Sequence, residues 1–233
     1  MSKQFILICS TVIIFGLTLT LQLAQFGRNP VALYWDELAI GIDAYSIVQT
    51  GKDIHGNSWF QAIYPSYGDY KAPVAILLVS AAIKLFGLFP WVVRLPFLLS
   101  FLLSVVGIYF LCKELLTEIA PSKNTYQTII LGLVLCVTTP WYFHFARIGF
   151  ESGLSLLFVI WSLILVIWGL KKHGSYLLLA SIIGFLGTYT YFSVRYILPL
   201  FILPVLVTHF KEIGQRKGWL IIAVSIYLFL QIP

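Results

Sequence analysis

Several acidic side chains in this sequence have the spacing that acid–base or metal chemistry requires. Asp36 and Glu37 are adjacent, and Asp43 lies seven positions later, two turns along the same face of a helix. Such an acidic stripe can hold a divalent cation or accept a proton from a substrate hydroxyl. The structural alternative is that Asp36 caps a helix N-terminus and Glu37 complements the helix dipole.

A second set of charges lies farther along the chain. Arg147 and Glu151 are four residues apart, so they can pair on one helix face. Alternatively, Glu151 begins an apolar run and can project into a cavity at the membrane border. Lys71, Arg147 and Arg195 are candidate partners for a phosphate, because arginine offers a planar fork and lysine a point charge. Anchoring at the membrane interface is their structural alternative.

Aromatic residues are dense in the polar segment 51–71. They interleave with glycine, proline and acidic residues, as in a platform against which a sugar ring stacks. An aromatic belt at a membrane interface has the same composition, and one segment can serve both purposes. The aromatic residues are Trp59, Phe60, Tyr64, Tyr67 and Tyr70.

The elements that position these residues must be membrane helices. Of the 233 residues, 60% are hydrophobic and only 10% are charged, which is too few charges to cover a water-soluble globule of this size. The net charge of +6 comes without any run of more than two Lys/Arg residues, which excludes a nucleic-acid partner as the explanation.

Hydrophobic runs predict an all-α polytopic membrane protein, a single module over residues 1–233. A first span is expected at 4–26, followed by a polar loop over 27–90 that contains helices at about 36–50 and 72–88. About seven transmembrane helices are expected in all, since about 20 apolar residues cross a bilayer. The later apolar runs occupy residues 91–112, 127–146, 152–170, 175–190, 196–210 and 219–233.

Orientation follows from the placement of basic loops in the cytoplasm. The N-terminus and the loops Lys113 to Lys123, Lys171 to His173 and Lys211 to Lys217 all fall inside only if one apolar run fails to cross. The run 73–89 is short and contains Lys84, so we expect it to lie along the outer surface.

This topology separates the nine carboxylates of the chain into two groups. Glu114, Glu118 and Glu212 lie beside lysines on the cytoplasmic side. The other six fall on the outer face, which is where chemistry is expected because ionisable groups near membrane depth tend to be functional. These six are Asp36, Glu37, Asp43, Asp53, Asp69 and Glu151.

Several of these motifs together resemble family 39 glycosyltransferases, the membrane protein mannosyltransferases and lipid A aminoarabinose transferases. The resemblance extends from residue 4 to about 210. It rests on the order of the motifs and on the side of the membrane at which each is expected. The motifs are Tyr34-Trp35-Asp36-Glu37 with Ala44-Tyr45-Ser46-Ile47 and Thr50-Gly51-Lys52-Asp53, then Gly68-Asp69-Tyr70-Lys71-Ala72-Pro73, Val93-Arg94-Leu95-Pro96, His144-Phe145-Ala146-Arg147 with Glu151, and Thr188-Tyr189-Thr190-Tyr191 with Arg195.

The resemblance implies a GT-C fold with two membrane-parallel helices in the first outer loop and an active site on the outer face of the cell membrane. It implies a polyprenyl-phosphate sugar donor and an acceptor glycan, lipid or protein. Asp36 corresponds to the catalytic base, with Glu37 beside it, and Glu151 to a second acidic position. Lys71 corresponds to a residue that contacts the lipid phosphate.

The expected reaction inverts the configuration of the sugar, with Asp36 accepting the proton of the acceptor hydroxyl. Lys71, with Arg147 or Arg195, offsets charge on the departing phosphate. Asp69, Tyr70 and Asp43 complete the set of expected substrate-binding residues. The acidic density would also suit a divalent metal ion, and none is assigned.

Two alternatives remain open from the sequence. A transporter or flippase subunit would also have many spans with charges along a pathway. The family's members are about twice as long, so the chain is also expected to be a truncated N-terminal half, or an inactive fragment of a split glycosyltransferase. The enzyme hypothesis requires that Asp36, Glu151 and Lys71 converge.

Overall fold

The computed structural model describes residues 3–24, 26–119, 121–122 and 125–232. Lys123 and Pro233, which entered the topology argument, lie outside these residues. The described chain is helical apart from one small hairpin. In order, the elements are α1 (Lys3–Leu23), α2 (Trp35–Thr50), β1 (Tyr64–Ser66), β2 (Asp69–Lys71), α3 (Pro73–Phe86), α4 (Pro90–Ile119), α5 (Thr125–Thr138), α6 (Pro140–Phe145), α7 (Glu151–Lys171), α8 (Ser175–Thr188), α9 (Val194–Thr208) and α10 (Phe210–Leu230).

Helix α2 begins and ends for local reasons that the sequence contains. Tyr34 is the N-cap residue, and its backbone N–H donates to the Glu37 carboxylate over 2.7 Å. Gly51 ends the helix with φ of 73°, a left-handed conformation that glycine adopts without strain. Asp36 was expected at or near the N-cap, and the structure places it at the second helical position.

Helices α2 and α3 agree closely with the two helices expected in the first loop, and they pack against each other. Pro73 occupies the first position of α3, where its missing N–H is not needed. The antiparallel β1–β2 hairpin between them was not expected. Its strands have three residues each, which is too short for an alternating pattern to be read from sequence.

Helix α7 is the centre of the bundle. It contacts α4, α8, α9 and α10, and most of its length is buried. The largest apolar cluster joins α7 to α2, α3 and α4 through residues such as Ile76, Val93 and Leu154. The loop helices are therefore fixed to the first turns of α7 by apolar packing.

Three helices of the described chain are long and apolar enough to cross a membrane, namely Pro90–Glu118, Glu151–Lys171 and Phe210–Leu230. Three expected boundaries were wrong. Residues 113–119, expected as the start of a loop, lie within α4. The run 127–146 breaks at Thr139, whose hydroxyl caps a new helix that Pro140 begins. Residues 211–217, expected as a loop, lie within α10. The crossing pattern and the orientation stay predictions.

Close packing of α7 on α8 leads to a testable prediction. A Cβ atom at Gly169 would lie 2.5 Å from Leu177 Cγ and 3.0 Å from the Leu177 backbone N, so the two helices would have to separate. We expect Gly169→Ala to cost about 1–3 kcal/mol of stability through overpacking, measured as a lower melting temperature of the purified chain in detergent.

The matched control is Gly132→Ala in α5, where a Cβ meets nothing within 4 Å. Because alanine is the better helix former, this change should be neutral or stabilising by up to about 1 kcal/mol. Equal melting temperatures for the two variants would contradict the α7–α8 packing.

Candidate active site

Carboxylates from three parts of the chain lie around one lysine side chain. Lys71 Nζ lies 2.5 Å from Asp36 Oδ1, 3.7 Å from Asp69 Oδ2 and 3.7 Å from Glu151 Oε2. The lysine is buried, whereas the Asp36 side chain keeps 27% exposure and that of Asp69 73%. The cluster is therefore closed below and open at Asp36 and Asp69.

Each member of this cluster is positioned by the end or the beginning of an element. Asp36 lies in the first turn of α2, Lys71 ends β2, and Glu151 is the first residue of α7. Burial alone would lower the pKa of Lys71, but the hydrogen bond to Asp36 and the charges of Glu151, Asp36 and Asp69 outweigh burial and raise it above its ordinary value of 10.5. Lys71 thus stays protonated at physiological pH.

Glu37 is held in a buried ion pair below this cluster. Both Glu37 and Arg94 are fully buried. Arg94 Nε donates to Glu37 Oε1 over 2.7 Å, and Arg94 Nη2 donates to Oε2 over 3.0 Å. This is the bidentate geometry that makes arginine–carboxylate pairs strong.

The pair also ties three backbone segments together. Arg94 donates to the carbonyls of Pro30 and Ala32 over 2.8 and 2.9 Å. The Gly149 N–H donates to Glu37 Oε1 over 2.8 Å. The segment before α2, the start of α4 and the segment before α7 therefore meet at one point. Arg94 was not among the predicted site residues, although its motif was quoted in the resemblance.

Burial changes the role that sequence reasoning gave to Glu37. A fully buried carboxylate with four hydrogen bonds from Tyr34, Arg94 and Gly149 cannot touch a substrate. The structure therefore places Glu37 beneath its neighbour Asp36, away from the open part of the cluster.

Arg147 does not pair with Glu151 in the structure. Its guanidinium donates to the carbonyls of Leu21 and Ala24 over 3.2 and 2.6 Å. Leu21 is in the last turn of α1 and Ala24 follows its last residue, where a helix leaves carbonyls without partners. Arg147 therefore caps α1, and Glu151 interacts with Lys71 instead.

Arg195 is exposed in the first turn of α9. It lies over the Tyr189 and Phe192 rings at 5.7 and 5.2 Å, and no ion pair of the described residues includes it. The Tyr189 carbonyl accepts from Val74 N over 3.0 Å, which brings the end of α8 to the start of α3, three residues from Lys71.

Asp43 is separated from the Lys71 cluster and supports the loop after α2. It is buried and accepts from Ile54 N over 3.1 Å, and burial raises its pKa. Asp53 organises the same loop. Burial acts to raise its pKa, but four hydrogen bonds from Gln61, Asn57 and His55 outweigh burial and lower it. Asp36 and Asp43 therefore do not form the predicted acidic stripe. Asp36 belongs to the Lys71 cluster, and Asp43 binds the loop after α2.

Exposed aromatic rings flank Asp36. The rings of Trp35 and Tyr67 lie 5.3 Å apart, and Tyr70 is exposed beside Lys71. Tyr64 is buried, and its hydroxyl donates to the Trp59 carbonyl. The aromatic segment thus divides into buried support and an exposed surface next to the carboxylate.

The described residues contain no group of three or more His, Cys, Asp or Glu side chains arranged to hold a metal ion. The Lys71 ammonium occupies the centre of the acidic cluster, where a cation would otherwise lie.

Comparisons with known proteins agree with the resemblance. The sequence profile of the family described as Dolichyl-phosphate-mannose-protein mannosyltransferase matches residues 70–232. The fold is similar to the crystal structure of ArnT from Cupriavidus metallidurans in the apo state, with a TM-score of 0.69 and 16% sequence identity. The match covers 95% of this chain and 40% of that chain. A comparison with curated protein sequences finds no match.

The Glu37–Arg94 pair predicts a measurable coupling. Arg94→Met leaves a buried charge without its partner, which should cost about 3–5 kcal/mol and lower the melting temperature in detergent. Adding Glu37→Gln to Arg94→Met removes the stranded charge and should recover part of this loss.

Arg28→Met serves as the control, because Arg28 is exposed. It should leave the melting temperature nearly unchanged. Additive effects of Arg94→Met and Glu37→Gln would contradict a direct pair.

Proposed function

Because the chain belongs to the Dolichyl-phosphate-mannose-protein mannosyltransferase family, we propose that this membrane glycosyltransferase moves a sugar from a polyprenyl-phosphate donor to an acceptor hydroxyl. The acceptor hydroxyl belongs to a glycan, lipid or protein. The chain spans 40% of the similar solved structure, and the activity proposed is that of the whole protein.

The observation that carries this proposal is the convergence of Asp36, Glu151 and Lys71 from distant parts of the sequence. A scaffold has no need of three carboxylates around one buried lysine, and ionisable groups of this kind concentrate at active sites. A transport pathway would distribute its charges across the bilayer. Here they meet at the first residue of α7.

In the proposed reaction, the acceptor oxygen attacks the anomeric carbon of the donor sugar. The bond between that carbon and the phosphate oxygen breaks on the opposite face, and its electron pair leaves with the polyprenyl phosphate. Asp36 takes the proton of the acceptor hydroxyl. The configuration inverts because attack and departure take place on opposite faces of the anomeric carbon. Asp36 suits this role because its side chain is 27% exposed and can meet the acceptor, whereas the Glu151 side chain is only 12% exposed.

The departing phosphate requires positive charge. Lys71 supplies one charge if the donor displaces Asp69, whose exposed carboxylate is 3.7 Å from Nζ and the most easily released. Arg195 supplies the second, because its guanidinium lies over two aromatic rings and no ion pair among the described residues includes it. Arg147 was the other candidate from sequence, and we now assign it to α1, whose carbonyls it binds.

Glu151 is proposed to hold Lys71 in place while Asp36 and Asp69 exchange partners. Its carboxylate is 3.7 Å from Lys71 Nζ and is more buried than either aspartate. Glu151 is the first residue of α7, where the helix dipole favours a negative charge on the carboxylate.

The proposed orientation is supported by charge at the two ends of α7. Glu151 begins the helix in the Lys71 cluster, and Lys171 at its end pairs with Glu114 and Glu118 over 3.6 and 2.7 Å. The ends of this 21-residue helix are about 30 Å apart, the thickness of a hydrocarbon core. We propose that the Lys171 end is cytoplasmic and that the Lys71 cluster faces the outside of the cell membrane.

The direct test is sugar transfer by the full-length protein with Asp36→Asn. Asparagine keeps the shape of the side chain but cannot accept a proton at neutral pH, so turnover should fall by about 10²-fold or more. Transfer from a polyprenyl-phosphate sugar in membrane vesicles is the measurement.

Glu212→Gln provides the matched control, because Glu212 lies in α10 far along the chain from the Lys71 cluster. This variant should keep wild-type turnover. Undiminished turnover in Asp36→Asn would remove Asp36 from the base role.

A further inference from the structure

The corner between α8 and α9 is held by side chains at the end of α10. Thr188, the last residue of α8, is fully buried. Gln231, the residue that follows α10, donates from Nε2 to Thr188 Oγ1 over 2.9 Å. The Tyr227 hydroxyl also hydrogen-bonds with the Thr188 side chain. Two side chains from the end of α10 therefore meet at one buried hydroxyl.

These bonds use the whole hydrogen-bonding capacity of the Thr188 hydroxyl, which has one proton and two acceptor lone pairs. Its proton goes to the Phe185 carbonyl over 2.8 Å. The two lone pairs are then available for Gln231 and Tyr227. A buried polar network whose members are all paired makes the surrounding structure rigid and specifies one arrangement. The end of α8 is therefore fixed against the end of α10.

The same corner positions the Arg195 guanidinium. Tyr189 follows Thr188 directly, and the Arg195 guanidinium lies over its ring at 5.7 Å. The Tyr189 hydroxyl donates to the Gln231 carbonyl over 3.4 Å. The positive charge of Arg195 also acts on the Tyr227 hydroxyl. The residues that hold Thr188 therefore also surround Arg195.

The corner is connected to the lysine of the active site on its other side. The Tyr189 carbonyl accepts from Val74 N over 3.0 Å. Val74 lies in the first turn of α3, three residues after Lys71. One corner thus contacts the segments that carry both cations proposed for the donor phosphate. A displacement of the corner would change the distance between Lys71 and Arg195.

We propose that Thr188 is a positioning residue for the donor phosphate, and that Gln231 and Tyr227 are the partners that hold it. The inference rests on the proposed function, in which Lys71 and Arg195 offset the charge of that phosphate. Thr188 is fully buried, so it acts through Arg195 and contributes to affinity for the phosphate. The structural alternative is that the network only joins two helices, as polar side chains do in membranes.

The test compares farnesyl phosphate with farnesol, a pair of prenyl ligands that differ by the phosphate group. Binding of each to the purified full-length protein in detergent is measured by isothermal titration calorimetry. Thr188→Val keeps a similar side-chain shape without the hydroxyl. It should weaken farnesyl phosphate binding about fivefold, the factor expected for one hydrogen bond, and leave farnesol binding unchanged. Thr188→Ser keeps the hydroxyl and should bind both ligands like the wild type.

A double-variant cycle shows whether Thr188 acts through Arg195. Arg195→Gln alone should weaken farnesyl phosphate binding. Adding Thr188→Val should weaken it no further, because the guanidinium that the corner positions has been removed. A purely structural network would instead lower affinity for both ligands alike and add to the effect of Arg195→Gln.

Thr117→Val is the matched control. Thr117 is exposed near the end of α4, where its hydroxyl donates to the Lys113 carbonyl over 2.6 Å. Glu118 beside it pairs with Lys171, at the opposite end of α7 from Glu151. This variant should bind both ligands like the wild type.

Four results would overturn the proposal. They are unchanged farnesyl phosphate binding in Thr188→Val, an equal loss for farnesol, additive effects of Thr188→Val and Arg195→Gln, and a wild type that binds farnesyl phosphate no better than farnesol. The first three leave the proposed sugar transfer standing, because transfer is measured separately. Loss of the base role of Asp36 would in turn leave these affinities as predicted.

Discussion

The buried ion pair between Glu37 and Arg94 is the interaction on which the rest of the site depends. Both side chains are excluded from solvent, and the pair binds Tyr34 N, Gly149 N and the carbonyls of Pro30 and Ala32. A buried pair of this kind is not by itself a source of great stability, because desolvation offsets the attraction. Its effect is specificity: any other arrangement of these segments leaves a charge or an amide unpaired.

This constraint explains how Asp36 and Glu151 come to face one lysine. Asp36 is the residue before Glu37, and Glu151 is two residues after Gly149, so a single hub fixes the start of α2 and the start of α7. Lys71 enters from the hairpin and α3, which pack on the same apolar cluster. The apolar core, the buried pair and the lysine therefore form successive layers below the partly exposed Asp36.

The charges around Lys71 then separate residues that hold the site in place from residues proposed to meet the substrate. Three carboxylates lie around Lys71, and in the proposed reaction the donor phosphate takes the place of one of them. In the proposed exchange, Asp69 gives way to the phosphate because it is the most exposed of the three carboxylates, and Arg195 adds a second positive charge. Glu151 is the most buried of the three.

The sequence allowed much of this to be anticipated, and the misses have physical reasons. Helices α2 and α3 were predicted within one or two residues because Gly51 ends α2 and Pro73 begins α3. Spacing could not show that Asp43 turns away under a loop, or that Arg147 reaches back to carbonyls more than 120 residues earlier in the chain.

The importance of Arg94 was missed for a related reason. Fifty-seven positions separate it from Glu37, and an arginine in an apolar run reads equally well as an interfacial anchor. A charge among the apolar residues of the first turns of a long helix, at the motif that the resemblance quoted, was the available signal. Only the packing of α4 on the loop reveals its partner.

The most direct test of the account reverses the central charges by combining Asp36→Lys with Lys71→Asp in the full-length protein. Each single variant should lower the melting temperature in detergent, because it brings two like charges together where Lys71 Nζ and Asp36 Oδ1 now lie 2.5 Å apart. The account predicts that the double variant regains much of the lost stability and transfers no sugar, since the pairing is restored but the proton acceptor has moved. A double variant as unstable as the singles, or one that transfers sugar at the wild-type rate, would contradict it.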